Sequence, residues 1–438
     1  MNCTMPRTNA DRKVYVSMSK VSIIGAYNTQ FGSFARKNPE TGEIEDTKSF
    51  YELLNEAGRG AVADSCLGYE DIDAIWIGSC SPTKFINQEH AGPLGLEVAP
   101  EIFRFLPTYR VEGACASSSV ALYNAIYGIE SGRFKRVLVI GVEKMNLLDT
   151  AGVTHTLACC SHWPSEGAHG MTFPGLFAEY AKGYRSHYRL RDDDLRRMLA
   201  TVSALAYRNG VQNPLAHFGK GSPPDRMGLF SAEAVMALPS EGKSSNPMIA
   251  PPLRLHDCSL VTDGAAALVL SLTEDARAIS KRVVEIAGVG AATERLAEKD
   301  RPNMYELMAG KVAVSKSFAE AGISIGDVDF AEVHDCFTIN ELLSVEALGL
   351  SKDGNGGWDF IEGRFTPVDS CPINLSGGLK AKGHPVGATG ASMHALAYKQ
   401  LVEEPIGVAP GRGAPGIGVV FNVGGSAATN CVTTLRRI

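Results

Sequence analysis

The sequence predicts an α/β fold built twice over, with an inserted segment between the two copies. Buried-type apolar runs alternate with helical stretches, a strand-entry unit occurs twice, and the stretch 149–251 breaks the pattern with histidines, aromatics, Arg/Asp clusters and Pro/Gly loops. The 438 residues correspond to about three domains, or to one duplicated fold plus an insertion. Apolar residues at 45% and charged residues at 21% exclude disorder over most of this length.

The first element is the strand Lys20-Val-Ser-Ile-Ile24, ended by Gly25, and an acidic loop then leads to a helix from Phe50 to about Ser65. Tyr69-Glu-Asp-Ile-Asp73 is a turn feeding the buried strand Ala74-Ile-Trp-Ile77, which stops at Gly78-Ser79. Its echo is Ile325-Gly-Asp-Val-Asp329, feeding Phe330-Ala-Glu-Val333 and stopping at His334-Asp335. Gly113-Ala-Cys115 opens an Ala-rich helix from about Val120 to Ser131, followed by the strand Arg136-Val-Leu-Val-Ile140. Gly387-Ala-Thr-Gly390 likewise opens a helix, followed by Gly418-Val-Val-Phe421. The run Ala265–Leu270 returns the chain to the first sheet. The division expected is an N-terminal extension 1–19, a first half 20–148 plus 252–280, an inserted loop subdomain 149–251 and a second half 281–438.

Lys plus Arg number 42 against 48 for Asp plus Glu, a formal charge of −6. That balance argues against a general nucleic-acid binder and leaves room for a local basic patch that takes a phosphorylated small molecule. The ten cysteines are irregularly spread, with no CxxC pair or Cys/His ladder, so no metal site is expected and a reducing compartment is. No apolar run approaches the ~20 residues of a membrane span, and no secretory h-region is present. The expectation is a soluble cytoplasmic protein. A mitochondrial location is the alternative, because Arg7, Arg12 and Lys13 stand among hydroxyl residues, although Asp11 interrupts them. Arg436-Arg437-Ile438 does not match the peroxisomal address.

Four segments carry chemistry. Cys115 lies in Gly113-Ala-Cys-Ala-Ser-Ser-Ser119, a small-residue turn before a helix, where unpaired N–H groups and the dipole favour thiolate and can hold an oxyanion. A covalent nucleophile and a buried structural cysteine fit that local pattern equally. The Gly-rich stretch Asn374–Gly390 holds His384 on a loop stiffened by Pro385, placed to take a thiol proton or to donate to a carbonyl. A phosphate cradle is the competing reading of this loop, but neither the Walker spacing nor GxGxxG after a strand is present. His334-Asp-Cys-Phe337 follows a buried strand at the carboxyl end, where open α/β sheets commonly place their sites. His334 there can orient a water or donate to a thioester oxygen, and Cys336 can shuttle a proton. Finally, Phe421-Asn-Val-Gly-Gly-Ser426 is a glycine turn at a strand end, with Gly424 the candidate backbone donor.

Together and in this order, the four segments resemble the thiolase superfamily from about Val21 to Leu435. The resemblance implies a duplicated five-layered α/β/α/β/α fold, with Cys115 at the nucleophile position and His384 in the Gly-His-Pro loop. Many thiolases carry Asn-Glu-Ala-Phe where this chain has His334-Asp-Cys-Phe337, and Cys-x-Gly where it has Asn422-Val-Gly424. The His-Asp-Cys-Phe form resembles the sterol-carrier-protein-type branch, in which Cys336 takes the acid/base role vacated at Asn422. His169-Gly-Met171 and Asn213-Pro-Leu-Ala216 resemble loop segments lining an acyl and pantetheine channel, which makes His169 and Met171 candidates for it.

The implied activity is CoA-dependent thiolysis of 3-ketoacyl-CoA or the reverse Claisen condensation, in lipid metabolism such as fatty acid β-oxidation. Coenzyme A and acyl-CoA are then substrates, no cofactor is permanently bound, and a homodimer or homotetramer is expected. A decarboxylating ketosynthase also uses a cysteine with two histidines but has no need of Cys336. A non-catalytic acyl-CoA-binding subunit, or a thiolase that passes its product to a partner enzyme, completes the alternatives.

Overall fold

The computed structural model describes residues 20–438, and the extension expected at 1–19 lies outside the described residues. Nine strands form one continuous sheet: β1 (Val21–Asn28), β2 (Ala74–Gly78), β3 (Thr108–Val111), β4 (Arg136–Glu143), β5 (Gly264–Leu272), β6 (Val284–Thr293), β7 (Phe330–Val333), β8 (Ile417–Gly424) and β9 (Thr429–Arg437). Their order is β7-β8-β9-β6-β1-β5-β4-β2-β3. The helices that position the site are α1 (Phe50–Asp64), α2 (Ser117–Glu130), α3 (Phe173–His187), α4 (Asp192–Gly210), α5 (Met308–Ala321), α6 (Thr338–Leu348) and α7 (Thr389–Leu401).

The sheet is one pattern written twice. In the order β3-β2-β4-β5-β1, two parallel pairings are followed by two antiparallel ones. The second copy runs from a parallel bridge between Ile373 and Ala331 through β7-β8-β9-β6 with the same sequence of senses. A register shift falls between Ile23 and Gly25 in the first copy and between Ile286 and Gly288 in the second. The echoed turns match down to their hydrogen bonds. Asp73 Oδ2 accepts the N–H groups of Lys135 and Arg136, and Asp329 Oδ2 accepts those of Gly416 and Ile417. The copies join edge to edge where Ser22 and Ile23 pair with Glu285 and Val284.

Period-two alternation along the strands sets the layers. Ile75, Ile77, Leu138 and Ile140 face α1, whose start is fixed by a capping box between Ser49 and Glu52. Their neighbours Ala74, Trp76, Val137 and Val139 pack on the opposite side with Leu122 and Ile126 of α2. In β9, Thr433 bonds Tyr123 of α2 and His394 of α7, while the next residue, Thr434, bonds Ser317 of α5 on the other face. The order is therefore α1, first half-sheet, α2 with α7, second half-sheet, α5. Helices α3 and α4 lie between β4 and β5 in the chain, yet β4 and β5 are paired neighbours over their length.

Three strands of this sheet, β3, β6 and β9, have no counterpart in the sequence reading. β9 carries the adjacent Thr433 and Thr434 inside an apolar stretch, and their hydroxyls find hydroxyl and imidazole partners on opposite faces. β6, with Val-Glu-Ile-Ala-Gly-Val-Gly, reads as loop, but its glycines let α5 lie against the backbone. A Cβ at Gly290 would stand 1.9 Å from the carbonyl oxygen of Ala313. Gly290→Ala is expected to destabilise the fold by about 1–3 kcal/mol through overpacking, seen as a lower thermal midpoint by far-UV circular dichroism. An unchanged midpoint would show that α5 is free to move away.

Candidate active site

Cys115 sits in the turn Ala114–Ala116 that leads into α2. Ser117 locks this turn, donating its hydroxyl to Ala114 O (2.6 Å) and accepting from Gly113 N (3.1 Å). The expected thiolate is not favoured here. Burial pushes the Cys115 thiol upward, helped by Cys160, Glu143 and Glu112, and the N–H of Gly425 opposes this only in part. Desolvation outweighs the helix N-terminus. Gly424, the expected oxyanion donor, ends the β8–β9 ladder opposite Thr429 and lies against the Cys115 turn, where a Cβ on it would stand 2.1 Å from Gly113 O.

His384 is held by a bond network that fixes its tautomer. Thr389 donates its hydroxyl to Pro385 O (3.0 Å), so its oxygen accepts from His384 Nδ1 (2.8 Å), leaving Nε2 with a free lone pair. His334 is fixed the opposite way. β7 and β8 run parallel with Val333 beside Phe421, which brings His334 next to Asn422. The Asn422 amide accepts from Ser119 Oγ (2.7 Å) and donates to Cys115 O (3.3 Å), so it also donates to His334 Nδ1 (2.9 Å). Nε2 of His334 therefore carries the hydrogen, and it is buried without a protein partner. An unpaired buried donor at such a place is a binding position for an oxygen.

The Cys115 sulfur and one ring nitrogen from each of His334 and His384 lie within 4.8 Å of one another. The two rings stand at 87° with centroids 5.1 Å apart. A thiol and two imidazoles are also a soft metal donor set, but a metal on Nε2 of His334 would force a hydrogen onto Nδ1 against the Asn422 NH₂. Both rings are held neutral. Burial lowers His384 to about 3, assisted by Lys382, and burial, His384 and Lys382 together hold His334 far below its ordinary value.

Cys115, Cys336 and His384 line one cavity of about 400 Å³, walled by apolar groups including Leu148, Val153, Leu157, Phe173 and Phe337. Cys336 is buried, and desolvation followed by the neighbouring Cys115 pushes its thiol well up. Its carbonyl accepts Ser259 N (2.8 Å), which seats the His-Asp-Cys-Phe turn against the chain returning from the insertion. Asp335 does not face the cavity chemistry; its carboxylate accepts Leu379 N and Lys380 N and anchors the His384 loop. Of the two channel candidates, Met171 lines an adjoining groove that shares Thr150, Thr154 and Thr172 with this cavity. His169 is exposed and lines neither.

Several residues of the site escaped the sequence reading. Lys382, 1% exposed, bonds Ser392 Oγ (2.9 Å) beside the two imidazoles. Glu143 accepts Cys80 N (2.6 Å) and Gly387 N (3.1 Å), tying the end of the first half's strand to the His384 loop, and burial raises it to about 7. A lone carboxylate ending the apolar run of β4 was the available signal for Glu143. Thr389 leaves no mark that sequence alone would single out.

Two family models cover the chain: "Thiolase, N-terminal domain" matches residues 21–274 and "Thiolase C-terminal domain-like" matches 290–437. The chain belongs to the thiolase family. It is a CoA-dependent acyltransferase of the thiolase type. The acetyl-CoA acetyltransferase of Methanothermobacter thermautotrophicus is 36% identical over 420 residues, spanning 96% of this chain and 100% of that protein. Sterol carrier protein 2 of Oryctolagus cuniculus is 29% identical, over 88% of this chain and 66% of that protein. Among solved structures, the Ltp2-ChsH2(DUF35) aldolase superposes with a TM-score of 0.75 at 19% identity, covering 95% and 98% of the two chains. Human mitochondrial 3-ketoacyl-CoA thiolase in complex with CoA gives 0.63 at 15% identity, covering 96% and 99%. These two likenesses establish the shared fold.

Two outcomes follow from the protonation pattern. Alkylation of Cys115 by iodoacetamide, followed by mass spectrometry of its peptide, is expected to accelerate steadily from about pH 6 to about pH 9. A rate flat over that range would reveal a thiolate–imidazolium pair instead. Asn422→Asp replaces a donor with an acceptor, moves the His334 hydrogen to Nδ1, and is expected to lower kcat by roughly 10²–10³-fold, as for loss of one oxyanion donor. A kcat equal to the parent's would remove His334 Nε2–H from the mechanism.

Proposed function

We propose that the chain cleaves 3-ketoacyl-CoA with CoA, and runs the reverse Claisen condensation of acyl-CoA with acetyl-CoA, through an acyl-enzyme on Cys115. The observation that carries this reading is the convergence of the Cys115 sulfur, a base-ready imidazole and a donor-ready imidazole within 4.8 Å, with a second thiol, Cys336, on the same cavity. One nucleophile, one base, oxyanion donors and a separate acid/base are what two thioester reactions at one site require.

Because thiol and imidazole are both neutral at rest, proton transfer from Cys115 to Nε2 of His384 accompanies attack of the sulfur on the 3-keto carbon. The oxygen of that carbon gains charge and is met by the Gly424 N–H, with the Cys115 N–H at the start of α2 as the second donor. The C2–C3 bond then breaks, and the thioester oxygen of the departing enolate is met by the His334 Nε2–H. Cys336 gives its proton to C2 and releases acetyl-CoA. The resulting Cys336 thiolate takes the proton of an incoming CoA thiol, whose sulfur attacks the acyl-Cys115 carbonyl. Cys115 departs and recovers its proton from His384.

The insertion 149–251 forms the roof of this site in the same reading, since Leu157 and Phe173 come from it and β4 and β5 pair directly across its ends. The chain works as a homodimer or homotetramer. Supporting this, β3 is an open edge of the sheet, and Ile102, Phe105 and Tyr109 around it are exposed apolar side chains.

Incubation with acetyl-CoA is expected to acetylate Cys115, detected by mass spectrometry, and Cys115→Ala is expected to abolish both this adduct and turnover. Cys336→Ala is expected to keep the acyl-enzyme while losing exchange of the α-protons of acetyl-CoA with deuterated water. Normal thiolysis by Cys336→Ala would overturn its assignment as the second acid/base.

A further inference from the structure

Three thiols meet in one apolar cluster, and the acyl transfer described above uses one of them. Cys80 and Cys160 share this cluster with Cys115, and their sulfurs are 3.5 Å apart. Cys80 is buried just beyond the end of β2, with its N–H held by the Glu143 carboxylate. Cys160 is half-buried beside the exposed Cys159, and its N–H is held by Leu157 O (2.8 Å) at the end of the helix Thr150–Ala158. Neither sulfur lines the catalytic cavity, but that helix supplies Val153, Thr154 and Leu157 to its wall.

We infer that Cys80 and Cys160 form a dithiol modification site, which a peroxide converts to a disulfide that reshapes the acyl wall of the cavity. Cys160, the more accessible sulfur, attacks the peroxide as thiolate; the O–O bond breaks and Cys160 becomes a sulfenic acid with release of hydroxide. Cys80 then attacks the Cys160 sulfur, the S–O bond breaks, and water leaves. Two thiols and one hydrogen peroxide give one disulfide and two waters, with the two sulfurs supplying both electrons. Cys80 does not react first, since its neighbour Cys160 and burial keep its thiol protonated.

Geometry gives the bond a consequence. A disulfide places its sulfurs about 2.0 Å apart, so the pair closes by about 1.5 Å. Cys80 is fastened to a strand end through Glu143, which also fastens Gly387 of the His384 loop, so Cys160 makes the movement. Leu157 follows through its hydrogen bond to Cys160. Leu157 lines the cavity, and in close-packed surroundings a shift of this size changes that wall instead of being absorbed.

The experiment treats the full chain with a small excess of hydrogen peroxide, blocks free thiols, and maps a non-reducing digest by mass spectrometry, with thiolysis assayed in parallel. Expected are a Cys80–Cys160 linked peptide that disappears on treatment with dithiothreitol, and a several-fold loss of activity that dithiothreitol restores. Cys160→Ser and Cys80→Ser are expected to match the untreated parent and to lack the restorable loss. Absence of the linked peptide, or the same restorable loss in both variants, would overturn the inference. The activity arm rests on the acyltransferase reading; the linked peptide does not, so a chain that forms the link without thiolysis activity separates the two.

Discussion

Helices α2 and α7 begin side by side at the centre of the molecule, and every group of the site depends on that contact. Ala391 N at the start of α7 donates to Ser118 Oγ at the start of α2 (2.8 Å), and Ser119 in the next position donates to Asn422. The Asn422 amide then reaches Cys115 O and His334 Nδ1. Three elements far apart in sequence are registered through one carboxamide, so the nucleophile, the base loop and the donor imidazole are placed by the same few bonds.

The site is neutral in its resting state because it is dry. Cys115 and Cys336 are held as thiols, and His334 and His384 as free imidazoles, with burial as the first cause in each case. Charges that do lie nearby are bound to partners outside the cavity: Lys382 to Ser392, Asp335 to the N–H groups of Leu379 and Lys380. Charge therefore arises only as substrate reacts, where fixed donors meet it at little reorganisation cost. Of the two roles read from sequence for the helix N-terminus at Cys115, burial outweighs the thiolate one, and the oxyanion one is the role proposed for it.

The strands that follow the echoed turns, the helices opened by Gly113 and Gly387, and the segments bearing Cys115, His384, His334 and Cys336 were legible because each joins a local signal to an apolar run. What stayed hidden depends on contacts between distant segments. β6 is written in glycine because α5 packs on its backbone, a fact visible only with α5 in place. Asn422 reads as a lost cysteine until the parallel register with β7 puts His334 beside it. His169 stood in a motif-like tripeptide, but the chain is exposed there and returns to the cavity wall at Thr172.

The duplication also explains why one half holds more of the chemistry. Asp73 and Asp329 occupy matching positions, each clamping the first N–H groups of the next strand. Counting forward from those clamps, Gly78 pairs with Gly141 in the first half where His334 meets Asn422 in the second. A Cβ at Gly141 would stand 2.8 Å from the Cβ of Ser118 and 2.9 Å from Cα of Ala388, so the glycine is what lets both helix starts close over the first half-sheet. The second half presents an imidazole and an amide at the corresponding point, directed at the space those helix starts enclose. By the same count Cys80 matches Cys336. One copy of the fold is thus pared back to admit the other, and the asymmetric site forms where a bare strand end faces a furnished one.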